Sequence, residues 1–168
     1  MTKKPPIMRG MLAASAFALA GMAAAMPSYA QYRQEISNNP ANCSAHAGPA
    51  IKVTINGIRS SSGTVRVQSY RATQAEWLEK GRWINRIEMP ARAGTMTICM
   101  PLPTSGTYGI AVRHDLNDNG KTDVTRDGGG MSNNPSINIF NLGKPSYKKT
   151  SISVGNGVKS IRIQMRYF

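Results

Sequence analysis

Beyond residue 50 the chain alternates apolar and polar positions with a period of two. Ile51, Val53 and Ile55 alternate with Lys52, Thr54 and Asn56 until Gly57 ends the run, and Val65 and Val67 alternate with Arg66 and Gln68 as far as Tyr70. Met96, Ile98 and Met100 do the same with Thr97 and Cys99, as do Tyr108, Ile110 and Val112 with Gly109, Ala111 and Arg113. Ile137 and Ile139, then Ile152 and Val154, then Ile161, Ile163, Met165 and Tyr167 mark three further runs. Successive side chains of a strand point to opposite faces, so each run predicts a strand with one buried side. The short link 60–63 predicts an antiparallel hairpin between the first two, and Gly155-Asn156-Gly157 signals another turn. Short strands joined by turn chemistry, with almost no helical period, predict an all-β fold: a two-sheet antiparallel sandwich of about seven strands over residues 50–168.

Two stretches break the alternation. In residues 71–94, Thr73 can cap a short helix that Lys80 and Gly81 stop. Trp77, Leu78 and Trp83 then read as a flap packed on a sheet, with an exposed aromatic binding patch as the sharper alternative. After Asp115 comes a long run dense in Asn, Asp and Gly, through Gly128-Gly129-Gly130 to Asn134. Connections of that length are uncommon in compact domains and are often functional. The three glycines do not precede a helical pattern, so they read as flexible loop rather than an anion cradle.

The N-terminal end sets the compartment. Lys3, Lys4 and Arg9 precede an uncharged, Ala-rich stretch over residues 11–26, and Ser28-Tyr29-Ala30 supplies a cleavage site. Residues 1–30 therefore read as a signal peptide, and the mature protein as periplasmic or secreted, with no transmembrane span. The apolar stretch falls short of the roughly 20 residues a spanning helix needs, which weakens the reading of an uncleaved anchor. Residues 31–49 are polar and aperiodic, an extended leader along the surface. Export permits a disulfide between Cys43 and Cys99, the two cysteines of the chain; two free thiols are the alternative. Cys43 and His46 also stand at metal-ligand spacing, and a zinc or copper site would need Cys99 and His114 besides.

With 21 basic against 8 acidic residues the chain carries +13, and loss of Lys3, Lys4 and Arg9 with the signal peptide leaves +10. Lys52, Arg66, Arg113, Arg162 and Arg166 all occupy the polar phase of strands, so this charge falls on solvent-facing sheet surface. Such a face would draw anionic envelope components through a screened field; solubility and edge protection is the plainer reading. Export and the lack of a basic, aromatic-studded platform argue against nucleic acid.

The loop after Asp115 carries the best candidate for site chemistry. Asp115, Asn117, Asn119, Gly120 and Asp123 fit positions one, three, five, six and nine of a calcium loop, with the Lys121 carbonyl at seven. Position twelve is Arg126 where a bidentate carboxylate belongs, so binding would be weak, in the roughly millimolar class. The alternative is metal-free Asx turns. His114 beside Asp115 offers a pH-sensitive or catalytic group, or a hydrogen-bonded structural one. No nucleophile elbow or phosphate-cradling loop accompanies it, so no enzyme is expected.

An ordered set of motifs carries a resemblance. It runs from Gly57 through Gly63-Thr64-Val65, Gly106-Thr107-Tyr108, His114-Asp115-Leu116-Asn117, Asn119-Gly120-Lys121 and Ser132-Asn133-Asn134 to Pro145-Ser146-Tyr147. Over residues 50–167 the chain resembles the bacterial exported family called domain of unknown function 2141. The resemblance implies a small immunoglobulin-like or transthyretin-like sandwich and brings no activity, cofactor or catalytic residue. Asp127-Gly128-Gly129-Gly130 and the pair Lys148, Lys149 depart from the family's pattern, in which acidic positions tend to stand there. The expectation is an exported, non-enzymatic binding or structural module of the cell envelope, with calcium and an anionic envelope polymer as alternative ligands.

Overall fold

The computed structural model describes residues 1–2, 32–137 and 143–167. Ten strands fall within them: β1 (Gln34–Glu35), β2 (Ala50–Ile58), β3 (Thr64–Arg71), β4 (Asn85–Pro90), β5 (Gly94–Pro101), β6 (Gly106–Asp115), β7 (Gly128–Met131), β8 (Ile152–Val154), β9 (Val158–Gln164) and β10 (Arg166–Tyr167). They form the all-β sandwich that the alternation predicts, with ten strands rather than about seven and not antiparallel throughout. Sheet A runs β1-β4-β3-β6-β7-β10 with β8 also beside β6, and sheet B runs β5-β2-β9. Both sheets are mixed, because β1 with β4 and β2 with β9 pair in parallel.

The inward phase of each run makes the core. Ile51, Val53 and Ile55 of β2, Ile98 of β5 and Ile163 of β9 meet Val65 and Val67 of β3, Ile87 of β4 and Ile110 of β6, all fully buried. Truncating any of them to alanine would cost about 2–5 kcal/mol, since the lost contacts and the cavity add.

Several expectations need correction. Strands β2 and β3 are not a hairpin: they lie in different sheets, and the 60–63 link crosses between layers so that both present apolar faces to one core. The three glycines are not loop but strand β7, paired with β6 from Ala111↔Met131 to His114↔Gly128. Glycine is needed because a Cβ at Gly128 would strike the Tyr167 ring and one at Gly130 the Ile163 side chain. The predicted helix after Thr73 is a series of turns, with Glu76 and Trp77 both bonded to the Thr73 carbonyl. Leu78 at φ +58 reverses the chain before a helix can propagate. Strand β4 lies in the stretch without clear period, where Ile87 and Met89 alternate with Arg86 and Glu88. Ile137 stands outside any strand, and the rest of the strand expected there lies outside the described residues. So does the signal peptide expected over residues 1–30, from residue 3 on. Among the described residues no helix is long and apolar enough to cross a membrane.

The leader is tied down. Cys43, at the end of a 3-10 turn (Pro40–Cys43), forms a disulfide with Cys99 on β5, with Cα atoms 5.8 Å apart across 56 residues. In the chain-entropy account such a closure stabilises the fold by about 4 kcal/mol. With both thiols so used, the zinc or copper reading falls.

Candidate functional site

The register of sheet A dictates what its outer face presents, because directly paired residues share a face. One rung reads Glu88, Arg66, Arg113, Gly129 and Arg166 across β4, β3, β6, β7 and β10. The next reads Arg86, Gln68, Ala111 and Met131, and Tyr70 stands beside Gly109 on the third. Along β3, β6 and β7 the side chains thus pass from arginine to Gln68, Ala111 and Met131 and then to Tyr70, while Arg86 keeps a cation on the second rung. From Arg66 to Tyr70 the rise is about 13 Å.

Two segments wall this face into a cleft of about 1340 Å³. One is the flap after β3. Trp77 seats its ring over Gly109, where a Cβ would collide with it, and its indole N–H donates to the Pro145 carbonyl at 2.8 Å. Tyr70 meets Trp77 edge-on at 5.5 Å, and the Arg86 guanidinium lies 4.1 Å over the Trp83 ring. Both indoles are buried, so these residues form the packed flap and not an exposed aromatic patch. The other wall is the 116–127 loop, which contributes Thr122, Asp123 and Val124.

Tyr70 is the least expected member of the cleft. It is 5% exposed, and burial pushes its phenol up to about 12 against the pull of Arg86 and Arg66. It therefore stays protonated, a neutral donor.

The five cations expected on an anion-binding face divide between two faces. Arg66, Arg113 and Arg166 share the charged rung of sheet A, whereas Lys52 and Arg162 point outward from β2 and β9 of sheet B. The reason is that alternation sends one phase of each sheet outward, and the sheets face opposite ways. Arg66 is ion-paired with Glu88, and Arg113 with Asp115 at 3.1 Å. Burial, and then the neighbouring Arg66, lowers the Arg113 pKa from its ordinary value.

The loop residues matched to a calcium pattern are brought together but bonded to one another. Asp115, 5% exposed, uses Oδ2 to accept from Arg113 and from the Gly120 N–H, and its Oδ1 is buried without a partner. Asn117 and Asn119 both donate through Nδ2 to Asp123 Oδ2, at 3.1 and 2.8 Å. Their Oδ1 atoms accept from Asn119 N–H and Lys121 N–H, the Asx turns expected as the alternative. Those amide donors hold the Asp123 carboxyl below the usual carboxylate range. Asp127, one residue past the position where a twelfth ligand belongs, is buried and accepts from Leu116 N–H and Asp123 N–H. Among the described residues no three His, Cys, Asp or Glu side chains converge on a metal-sized site.

The remaining motifs are fasteners. His114 is fully buried, with Nε2 2.8 Å from the Ser62 carbonyl and Nδ1 2.7 Å from the Tyr167 hydroxyl. A carbonyl can only accept, so Nε2 carries the proton and Nδ1 accepts from Tyr167. Tyr167 in turn accepts from the Arg59 N–H. Ser132 accepts from the Ile110 N–H and donates to the Thr150 carbonyl, Asn133 donates to the Ser151 carbonyl, and Asn134 bonds both Arg162 O and Gln164 N. Sequence reasoning missed Gln68, Tyr70, Arg86, Gly129 and Met131 as cleft residues; the polar phase of β3 and β6 was the available signal, but only with β4 and β7 recognised do the rungs assemble.

A protein-family model described as an uncharacterized protein conserved in bacteria matches residues 53–162. No curated protein and no solved structure matches the chain.

Proposed function

The chain belongs to that bacterial family, domain of unknown function 2141, which brings no activity with it, and we propose that this member is an exported, non-enzymatic binding module of the cell envelope. The observation that carries the reading is the cleft over sheet A: a concave face on which Arg66, Arg113 and Arg86 stand among Ala111, Met131 and the neutral phenol of Tyr70. Concave sites with a few convergent polar groups among apolar ones are where ligands bind. His114, the histidine nearest the cleft, has both ring nitrogens engaged in the fold, which supports recognition over proton transfer. The test is sedimentation of the purified protein with vesicles or acidic polysaccharide against neutral counterparts, over a salt series. Salt-sensitive association with the anionic materials is expected. Equal behaviour with neutral materials would contradict the electrostatic part of the reading, and turnover of any of them would contradict the non-enzymatic part.

A second reading, weak calcium binding through Asp115, Asn117, Asn119, the Lys121 carbonyl and Asp123, is favoured by the buried, partnerless Oδ1 of Asp115. The ion pair to Arg113 opposes it. A melt in millimolar calcium and in chelator separates the two. A rise in Tm with calcium that Asp115→Ala abolishes supports a native-state site, and identical curves remove it.

A further inference from the structure

We infer that residues 32–43 are an exchangeable strap: the Cys43–Cys99 disulfide locks it on its own domain, and with that bond reduced it seats on the same strand edges of a second copy of the chain. What the strap covers is the first ground. The Arg33 and Gln34 N–H groups donate to the Trp83 and Ile84 carbonyls at 2.8 and 2.9 Å, and the Ile36 N–H to the Arg86 carbonyl at 2.9 Å. They make β1 the parallel partner of β4, which without it would be the edge of sheet A. Asn38 then bonds Thr97 O and Cys99 N on β5, the edge of sheet B, while Tyr32 and Ile36 pack against the core between the two. One strap thus closes the side of the sandwich where the sheets would stand open. Lifted away, it would leave two unpaired edges and an apolar seam, which is the surface an incoming strand takes.

The second ground is how the strap is held. No residue from 32 to 49 is buried, so the strap lies on the domain and not within its core. Its link to β2 is a ready hinge. Ser44, Ala45, His46 and Ala47 are exposed, Gly48 has φ +89, and the Ser44 and Ala47 N–H groups bond only within the leader, to Ala41 O and Ser44 O. Extended, the six residues 44–49 reach about 20 Å. The occupant follows from the seat: Ile36 fills the seam, Glu35 pairs with Arg86 at 3.0 Å, Asn38 spans the β5 edge and Cys43 meets Cys99. A second copy carries all four, so exchange remakes each contact and needs no new one. It also restores Arg33 and Glu35 to the cleft, so the exchange does not depend on what the cleft binds. The lock opens by thiol–disulfide exchange with a dithiol. One thiolate attacks the sulfur of Cys43, which is half-exposed where Cys99 is 3% exposed, and Cys99 leaves as a thiolate. The second thiol of the reductant then frees Cys43, so two electrons and two protons reach the cysteine pair and the dithiol becomes a disulfide.

The experiment uses two variants exported from the full chain and purified, Cys43→Ser and Cys99→Ser, neither of which can close its own bond. Mixed and oxidised with glutathione disulfide, they should give a dimer that joins Cys43 of one chain to Cys99 of the other. Its yield on a non-reducing gel should exceed that of the homodimers from either variant alone at least tenfold. Adding Ile36→Asp to the chain that supplies Cys43 should lower the yield at least tenfold, because its strap no longer fills the seam. A mixed dimer in no excess over the homodimers, or one that Ile36→Asp leaves unchanged, would mean that the thiols meet by chance and would overturn the inference. If either variant does not fold, the wild-type protein is reduced with dithiothreitol over a range of concentrations and reoxidised. A dimer linked through Cys43–Cys99 peptides alone, increasing with concentration, is the expected result; monomer at every concentration would overturn it.

Discussion

Sheet A turns outward a walled, concave face, and sheet B turns outward a narrow one whose two edges are plugged. Both arise from the same alternation of apolar and polar residues, and both carry cations. What separates them is what the connections do. On sheet A the flap and the 116–127 loop rise on either side of β3 and β6 and leave the floor open. On sheet B, Asn38 bonds Thr97 O and Cys99 N along the free edge of β5, and Asn134 bonds Arg162 O and Gln164 N along the free edge of β9. One amide thus stands in for a strand residue at each edge, which denies the edge to another chain. The difference teaches that charge on a strand's polar phase does not by itself make a cleft; a face becomes concave where its neighbours build walls.

The comparison can be broken in several ways. The largest expected effect is on sheet B. Cys43→Ser should lower stability by about 4 kcal/mol in urea melts by releasing the leader, while cleft binding at low denaturant stays intact. Loss of binding with the disulfide would mean that the two faces are coupled. Next is Gly109→Val, which unseats Trp77 from sheet A. It should cost about 1–3 kcal/mol and shift indole emission to the red, because overpacking forces the ring outward.

Tyr70 supplies a pH signature of sheet A. Its folded pKa is raised from 10.0 to about 12, so its contribution is whole below pH 10 and is lost as pH rises toward 12. At about 1.4 kcal/mol per unit this amounts to roughly 2–3 kcal/mol across that window, and Tyr70→Phe should flatten it in alkaline melts. The smallest effect belongs to the plugs. Asn38→Ala or Asn134→Ala should cost about 1 kcal/mol, with increased self-association in light scattering as the sign that an edge has opened.

The strands with clean period two, β2, β3, β5, β6 and β9, were legible from residue order, as were the disulfide partners and the packed flap. Pairing was not. A short 60–63 link serves equally for a hairpin within one sheet or a crossing between two, and only the shared core decides. The glycine strand β7 was illegible because its signal is the absence of side chains, and what demands that absence, the Tyr167 and Ile163 side chains, lies far along the sequence. Of the candidate site, the loop carboxylates were visible as a spacing pattern. The cleft was not, since it assembles from four strands whose neighbours in space are set by register. The five cations read as one surface divided for the same reason.

The central claim is that recognition runs through the face of sheet A. It is tested most directly by comparing salt-sensitive association with anionic vesicles for the double variants Arg66→Gln with Arg166→Gln, on sheet A, and Lys52→Gln with Arg162→Gln, on sheet B. Each pair removes the same formal charge, so a diffuse electrostatic field predicts equal losses. The account predicts a loss of at least tenfold for the sheet A pair and less than twofold for the sheet B pair. Equal losses, or the reverse order, would contradict it.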